Sequence, residues 1–293
     1  MNDELLRSRF NPDGSQLRRQ QLRMLDILLE VDRICKKHHI QYWLSSGTLI
    51  GAARHKGFIP WDDDLDIEML WPDYQRLMKI LPQELPETMA LQWLDTDPNY
   101  YFFYAKVRDR RSYLEENNCY DRPWKEKGIY IDIFPFYKQP LWIHLLSEKA
   151  QGHVYKIMRR QGDKETGRQG VLSPQGYESV ASRRAQGVPH DFWKVKLITR
   201  FNRYLLFPLL RGLCRLCAVL SKGVRETYGL GIPYHDLRHM EDILPLTETE
   251  FEGHQLPVPH DMHAALTLKY GDYMQLPDID KINLHVGKLE IYE

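Results

Sequence analysis

Apolar residues recur at helical spacing across residues 16–39, where Leu17, Leu22, Leu25, Ile27, Leu28, Val31 and Ile34 predict an amphipathic helix. Ile40–Leu44 reads as a short strand, Ser45, Ser46, Gly47 and Thr48 as a turn, and Leu49–Arg54 as a short helix opening from it. A loop punctuated by Gly57 and Pro60 leads into a second strand over Asp64–Met69. Helical spacing returns over Pro72–Leu81. Leu91–Leu94, Tyr101–Val107 and Ile129–Phe134 are rich in aromatic and β-branched residues and predict further strands. Beyond Pro140 the pattern is helical, interrupted by a polar Gly/Ser/Gln-rich stretch, Gln161–Pro189, expected as a mobile loop. The sum is an α+β fold with a mixed-sheet core flanked by helices over residues 1–140. A mainly helical C-terminal region, residues 141–293, is expected to complete the same domain.

Composition narrows the function classes. With 43% hydrophobic and 27% charged residues the chain has a globular balance, which excludes a disordered one. Net charge is zero, so no global basic field points to a nucleic-acid partner. The opening MNDELLRSRF lacks the apolar run of a signal peptide, and four scattered cysteines give no disulfide framework. A cytoplasmic placement is the expectation. Residues 195–220 are apolar but interrupted by Lys196, Arg200, Arg203, Arg211 and Arg215, which argues against a membrane span. Two readings remain for this segment: a core helix with a solvated basic stripe kinked at Pro208, or peripheral contact with the inner face of a membrane.

The most informative stretch is PWDDDLDIEML, residues 60–70. Strand side chains alternate between faces, so Leu65, Ile67 and Met69 share a core face while Asp64, Asp66 and Glu68 share the other. A merely solvated acidic turn has no reason to alternate in this way. Adjacent carboxylates on a strand repel each other, and a divalent cation relieves that cost; oxygen ligands suit Mg2+ or Mn2+. Just upstream, Ser46, Gly47 and Thr48 open a helix whose N-terminal N–H groups suit a phosphate, although turns of this kind begin many helices. In GIYIDIFPF, residues 128–136, Asp132 lies mid-strand among apolar neighbours and needs a counter-charge, a metal or hydrogen bonds. Lys106 and Arg108 alternate onto one strand face, and Arg54 follows the Ser-Gly-Thr helix; each is a candidate cation for phosphate, with surface charge the plainer reading for Arg54.

These segments together resemble the LicD family of the nucleotidyltransferase superfold. The resemblance rests on Tyr42–Trp43–Leu44, Ser46–Gly47–Thr48–Leu49–Ile50–Gly51–Ala52, and the run from Arg54 through Asp62–Asp63–Asp64–Leu65–Asp66–Ile67. Asp132–Ile133–Phe134–Pro135, Phe251–Glu252–Gly253, Val258–Pro259 and Tyr270–Gly271–Asp272–Tyr273–Met274 extend it. Residues between 137 and 250 carry no diagnostic match. The family often ends in paired histidines, whereas here His285 is followed by Val286.

The resemblance implies transfer of a phospho-alcohol, phosphocholine above all, from a CDP-linked donor to a sugar hydroxyl with release of CMP. The acceptor would be a surface or lipid-linked glycan such as lipopolysaccharide or teichoic acid; the fukutin-related relatives transfer ribitol phosphate. It makes Asp64 and Asp66 the metal-binding pair and Asp132 the third carboxylate. Ser46, Gly47 and Thr48 would bind phosphate, with Lys106, Arg108 or Arg54 as cationic help. Two other functions fit the same residues: a nucleotidyltransferase releasing pyrophosphate from a nucleoside triphosphate, and a non-catalytic glycan-binding subunit. Cys214–Cys217 and His235/His239 have the spacings of metal sites but lack further ligands, so they are expected to be structural.

Overall fold

Residues Tyr130–Gln139 form β6, the strand on which the main sheet of the computed structural model is assembled. The structure describes residues 3–117, 120–166, 191–220, 225–234, 236, 238–282 and 286–292. Around β6 lie β1 (Trp43–Leu44), β2 (Asp66–Leu70), β3 (Met89–Gln92) and β4 (Ala105–Asp109), in the order β1-β2-β6-β4-β3. The β2–β6 pair is parallel and the others are antiparallel, so the sheet is mixed as expected. A fifth segment, β5 (Ser112–Glu116), leaves this sheet to make a separate pair.

Alternation along β2 and β6 decides which face meets which helices. Leu65, Ile67, Met69, Ile131 and Ile133 are completely buried on one face. They pack with α2 (Gln16–Lys37) and α4 (Trp71–Glu84) into one core. Helix α2 turns Met24, Ile27, Leu28, Val31, Ile34 and Cys35 inward at three- and four-residue intervals. Ser15 caps it by accepting the Arg18 N–H at 3.2 Å, and Pro72 occupies the first turn of α4. On the opposite face Phe134 and Phe136 enter a second core with Trp43, Tyr104 and Tyr228. That core is covered by α5 (Leu141–Thr166), α6 (Phe192–Phe201) and α7 (Phe207–Leu220), the last two joined by a π-helical turn, Asn202–Leu206. The sheet thus lies between two helical layers.

Three expectations change. The strand predicted over Tyr101–Val107 begins only at Ala105, because Tyr100, Tyr101, Phe102 and Tyr104 stack on one another and on Trp124 and Phe134. The C-terminal region is helical but also supplies strands to the first 140 residues. Among these, β7 (Arg225–Tyr228) extends the sheet beyond β4 along β6, and β10 (Val286–Ile291) pairs with β5. A hairpin of β8 (Thr247–Phe251) and β9 (His254–Val258) buries Phe251, Leu256 and Val258 in the first core. Finally, α5 runs on to Thr166; the rest of the expected 161–189 loop lies outside the described residues.

Ile67 touches both strand partners beneath the acidic edge and has no exposed surface. Ile67→Ala is expected to cost about 2–5 kcal/mol in urea unfolding, since it leaves a cavity in a rigid core.

Candidate active site

The acidic loop is fixed from below by hydrogen bonds as well as by apolar anchors. On α2 the buried Gln20 donates from Nε2 to the Asp63 carbonyl at 2.7 Å, and Gln21 donates to the Asp62 carbonyl at 3.0 Å. Thr48 Oγ1 accepts the Asp66 N–H at 2.9 Å. Leu65 pins the stretch between them. Asp63 turns inward, where its Oδ2 accepts the Val286 N–H at 3.0 Å. Asp62, Asp64 and Asp66 are therefore left opening into one cavity of about 320 Å³.

Helix α3 (Ser46–His55) begins at the same cavity. Ser46 holds a left-handed φ of 50°, a conformation costly for a residue with a Cβ and one that concentrates at functional sites. A Cβ on Gly47 would lie 2.8 Å from Asp62 Oδ2, so a larger residue here would force that carboxylate to shift. Ser45, the N-cap, spends its hydroxyl on Glu68 Oε1 at 2.5 Å and gives the first turn of α3 no side-chain cap. Ser46 and Gly47 thus present a positive helix end to the cavity.

Burial first, and like charge after it, set the electrostatics. Burial, followed by the neighbouring Asp64, Asp66 and Asp63, raises the Asp62 carboxyl well above the ordinary range. Asp66 is raised for the same reasons, by burial and then by Asp64 and Asp132, with Lys269 and Lys106 opposing. Asp132 faces Asp66 across the β2–β6 pairing; burial pushes it up to about 6 against the pull of Lys106, which donates to its Oδ1 at 2.7 Å. Glu68 shares their face yet behaves differently. Burial opposes its charge, but Arg238, Lys269 and the hydroxyls of Ser45 and Tyr228 outweigh it and hold the carboxyl below its usual range. Glu68 is thereby a structural anion, bonded by Trp43 Nε1 at 3.0 Å and Tyr228 OH at 2.7 Å.

The structure brings Asp64, Asp66, Ser46 and Gly47 together and sets Asp132 directly beside Asp66. Other nominated residues have different surroundings. Thr48 is buried with its hydroxyl turned to the Asp66 N–H rather than to the cavity. Lys106 is buried and paired with Asp132. Arg108 has no exposed surface; it donates to Gln92 Oε1 at 2.5 Å and the Gly128 carbonyl at 2.7 Å and lies over Tyr130. Arg54 reaches the Tyr273 carbonyl at 3.1 Å and lies over Trp61. A sheet interior forces Lys106 and Arg108 inward, which alternation alone does not reveal. Among the described residues the cation lining the cavity is Lys269 on α9 (Met262–Tyr270), 3.1 Å from Ser46 Oγ, 3.3 Å from Tyr228 OH and 3.0 Å from Asp236. Its only sequence signal is its place immediately before the Tyr270–Met274 motif. Phe134, Tyr228 and Tyr234 line the same cavity, their ring centroids 5.6–5.9 Å apart.

Among the described residues no three His, Cys, Asp or Glu side chains stand in a ready-made metal cage. The donor set at the cavity is nevertheless oxygen-only, and the mutual repulsion of Asp62, Asp64 and Asp66 suits a hard divalent cation. Cys214 belongs to the second core, as expected, and His235 and His285 lie outside the described residues.

Residues 39–156, which span β1, the acidic strand and β6, match the family model for the LicD/FKTN/FKRP nucleotidyltransferase domain. That stretch is a LicD-family domain. It is similar to the lipopolysaccharide cholinephosphotransferase LicD of Haemophilus influenzae, 28% identical over 270 residues that cover 89% of this chain and 92% of that protein. It is also 28% identical over 101 residues to the human ribitol 5-phosphate transferase FKRP, covering 33% of this chain and 17% of FKRP. An uncharacterized protein of Rickettsia prowazekii is 45% identical over 62 residues, 21% of this chain and 23% of its own length. The matched stretches of these three proteins differ widely in length.

The raised Asp62 carboxyl makes a signed prediction. Its folded pKa lies above the ordinary value of 3.8, so the folded state loses stability as pH rises from that value through the raised one. Without divalent cations, Asp62→Asn is expected to unfold a few degrees above the wild type at about pH 7.5, the gap closing toward about pH 4. Thermal unfolding in chelator measures this, and a gap constant with pH would contradict the assigned repulsion.

Proposed function

We propose that this chain is a metal-dependent phosphotransferase that moves phosphocholine from CDP-choline to a sugar hydroxyl of a surface or lipid-linked glycan. The observation that carries the reading is one cavity lined by four carboxylates, Asp62, Asp64, Asp66 and Asp236, with the Lys269 ammonium and the open start of α3. Similarity to the cholinephosphotransferase over 89% of the chain supports the same reading.

Asp64 and Asp66 would hold Mg2+ or Mn2+, and the bound ion would neutralise charge on the donor's diphosphate. Phosphoryl transfer needs positioning and charge stabilisation more than covalent help. The α3 N–H groups and the Ser46 hydroxyl would grip phosphate oxygens, and Lys269, rather than Lys106, Arg108 or Arg54, would supply the fixed positive charge. Asp132 would share the ion's site with Asp66 and take the proton of the acceptor hydroxyl as it attacks the distal phosphorus. The phosphoanhydride bond then breaks and its electron pair leaves with CMP. Lys106 would keep Asp132 oriented for that step. The aromatic group favours choline over ribitol, because the faces of Phe134, Tyr228 and Tyr234 attract a quaternary ammonium whereas a polyol calls for hydrogen bonds.

Asp64→Asn and Asp66→Asn are each expected to lower CMP release from CDP-choline by roughly a thousandfold with the fold retained. Full activity in both would remove them from the site. Pyrophosphate from CTP, with no CMP from any CDP-alcohol, would replace this reading with nucleotidyl transfer. No turnover of either kind alongside glycan binding would leave a binding subunit. Tyr234→Ala is expected to raise KM for CDP-choline about tenfold and to leave CDP-ribitol turnover unaffected. Equal effects on both donors would exclude the ammonium pocket.

A further inference from the structure

Helices α6 and α7 are apolar on both sides. Inward, Phe192, Val195, Phe207, Leu210 and Cys214 fill the second core. Outward, Trp193, Leu197, Phe201, Leu205, Leu209 and Leu216 recur mostly at four-residue intervals, and each is more than half exposed. Helix α5, which packs against both, exposes Trp142, Leu145 and Leu146 from its first turns. A helix of a water-surrounded protein normally turns polar residues outward, so a face of this extent marks an interaction surface.

Charge identifies the occupant. Residues 192–217 contain six Lys and Arg and no Asp or Glu, in a chain whose net charge is zero. Lys194, Arg200 and Arg215 are exposed among the apolar side chains, and Lys194 reaches out to Asp191 at 2.9 Å. Arg203 is instead held by Asp95 and by the Leu94 carbonyl at 2.8 Å. Among the described residues no helix is long and apolar enough to cross a membrane. We propose that the outer face of α6 and α7, with the first turns of α5, docks on an anionic lipid bilayer, its helices lying in the plane of the headgroups. Apart from the Asp191 and Asp95 partners at its edge, the apolar and basic side chains of residues 192–217 interleave without acidic ones and match a negatively charged, apolar-cored surface; a second copy of the chain would bring the same positive charge. The same helical layer covers the sheet face bearing Phe134, whose ring lines the catalytic cavity, so docking would set the cavity near the lipid. This inference is independent of the transferase reading.

Vesicle flotation tests it without donor or acceptor. The protein should float with vesicles containing about 30% phosphatidylglycerol at least about tenfold better than with phosphatidylcholine alone, and less well in about 0.5 M salt. The triple variant Trp193→Glu, Leu197→Glu, Leu209→Glu should lose flotation at an unchanged unfolding temperature. The double variant Arg200→Glu, Arg215→Glu should lose the preference for anionic vesicles. Absence of flotation with either vesicle would overturn the proposal, as would flotation undiminished by the triple variant. A dimer in light scattering that the triple variant dissociates, with no vesicle binding, would assign the face to self-association instead.

Discussion

Asp66 and Asp132 stand opposite each other on parallel neighbouring strands, and much of the structure around them manages that proximity. Adjacent strands lie roughly 4.8 Å apart, so two carboxylates on the same face at paired positions must repel. Neither can move away. Leu65, Ile67 and Met69 on one strand and Ile131 and Ile133 on the other are fully buried, and a one-residue slip would turn that whole set toward the opposite face. Hydrophobic burial fixes the register, and the register imposes the charge density. Lys106 on β4, paired across from Asp132, offsets part of it from within the sheet.

The remaining negative charge is directed to the cavity rather than quenched. Glu68, two residues along β2, is met by Trp43, Ser45, Tyr228 and Arg238, whereas among the described residues the ammonium of Lys269 is the cation that approaches the cavity side of the acidic group. The contrast within one strand separates an anion that holds β1, β2 and β7 together from anions poised for a ligand. A left-handed Ser46 and a glycine pressed against Asp62 are local costs of placing a helix start there. Such costs persist because Gln20, Gln21 and Thr48 hold the acidic loop by its backbone, leaving the side chains of Asp62, Asp64 and Asp66 for the cavity.

The second helical layer has two unlike sides. Its inner side packs on Phe134, Phe136 and Tyr228 and thereby shapes the cavity wall. Its outer side leaves large apolar residues and basic residues exposed together. Helices α6 and α7 therefore combine a buried face with an exposed apolar one.

The sequence by itself determined the mixed α+β class, a strand in the acidic stretch that the structure starts at Asp66 rather than Asp64, the Ser-Gly-Thr helix start and Asp132 as a third candidate carboxylate on a later strand. Those features are encoded locally: alternation with period two fixes which side chains share a face, and turn chemistry fixes where a helix begins. The tertiary structure alone decided the partners. Lys106 and Arg108 share a face with period two, but only the position of β4 beside β6 shows that this face is buried. Lys269, Tyr228 and Tyr234 reach the cavity from far along the chain, through a strand added to β6 and a helix packed on α3. No local pattern encodes such contacts, because packing between distant segments is set by the summed burial of many faces and not by the spacing within any one of them.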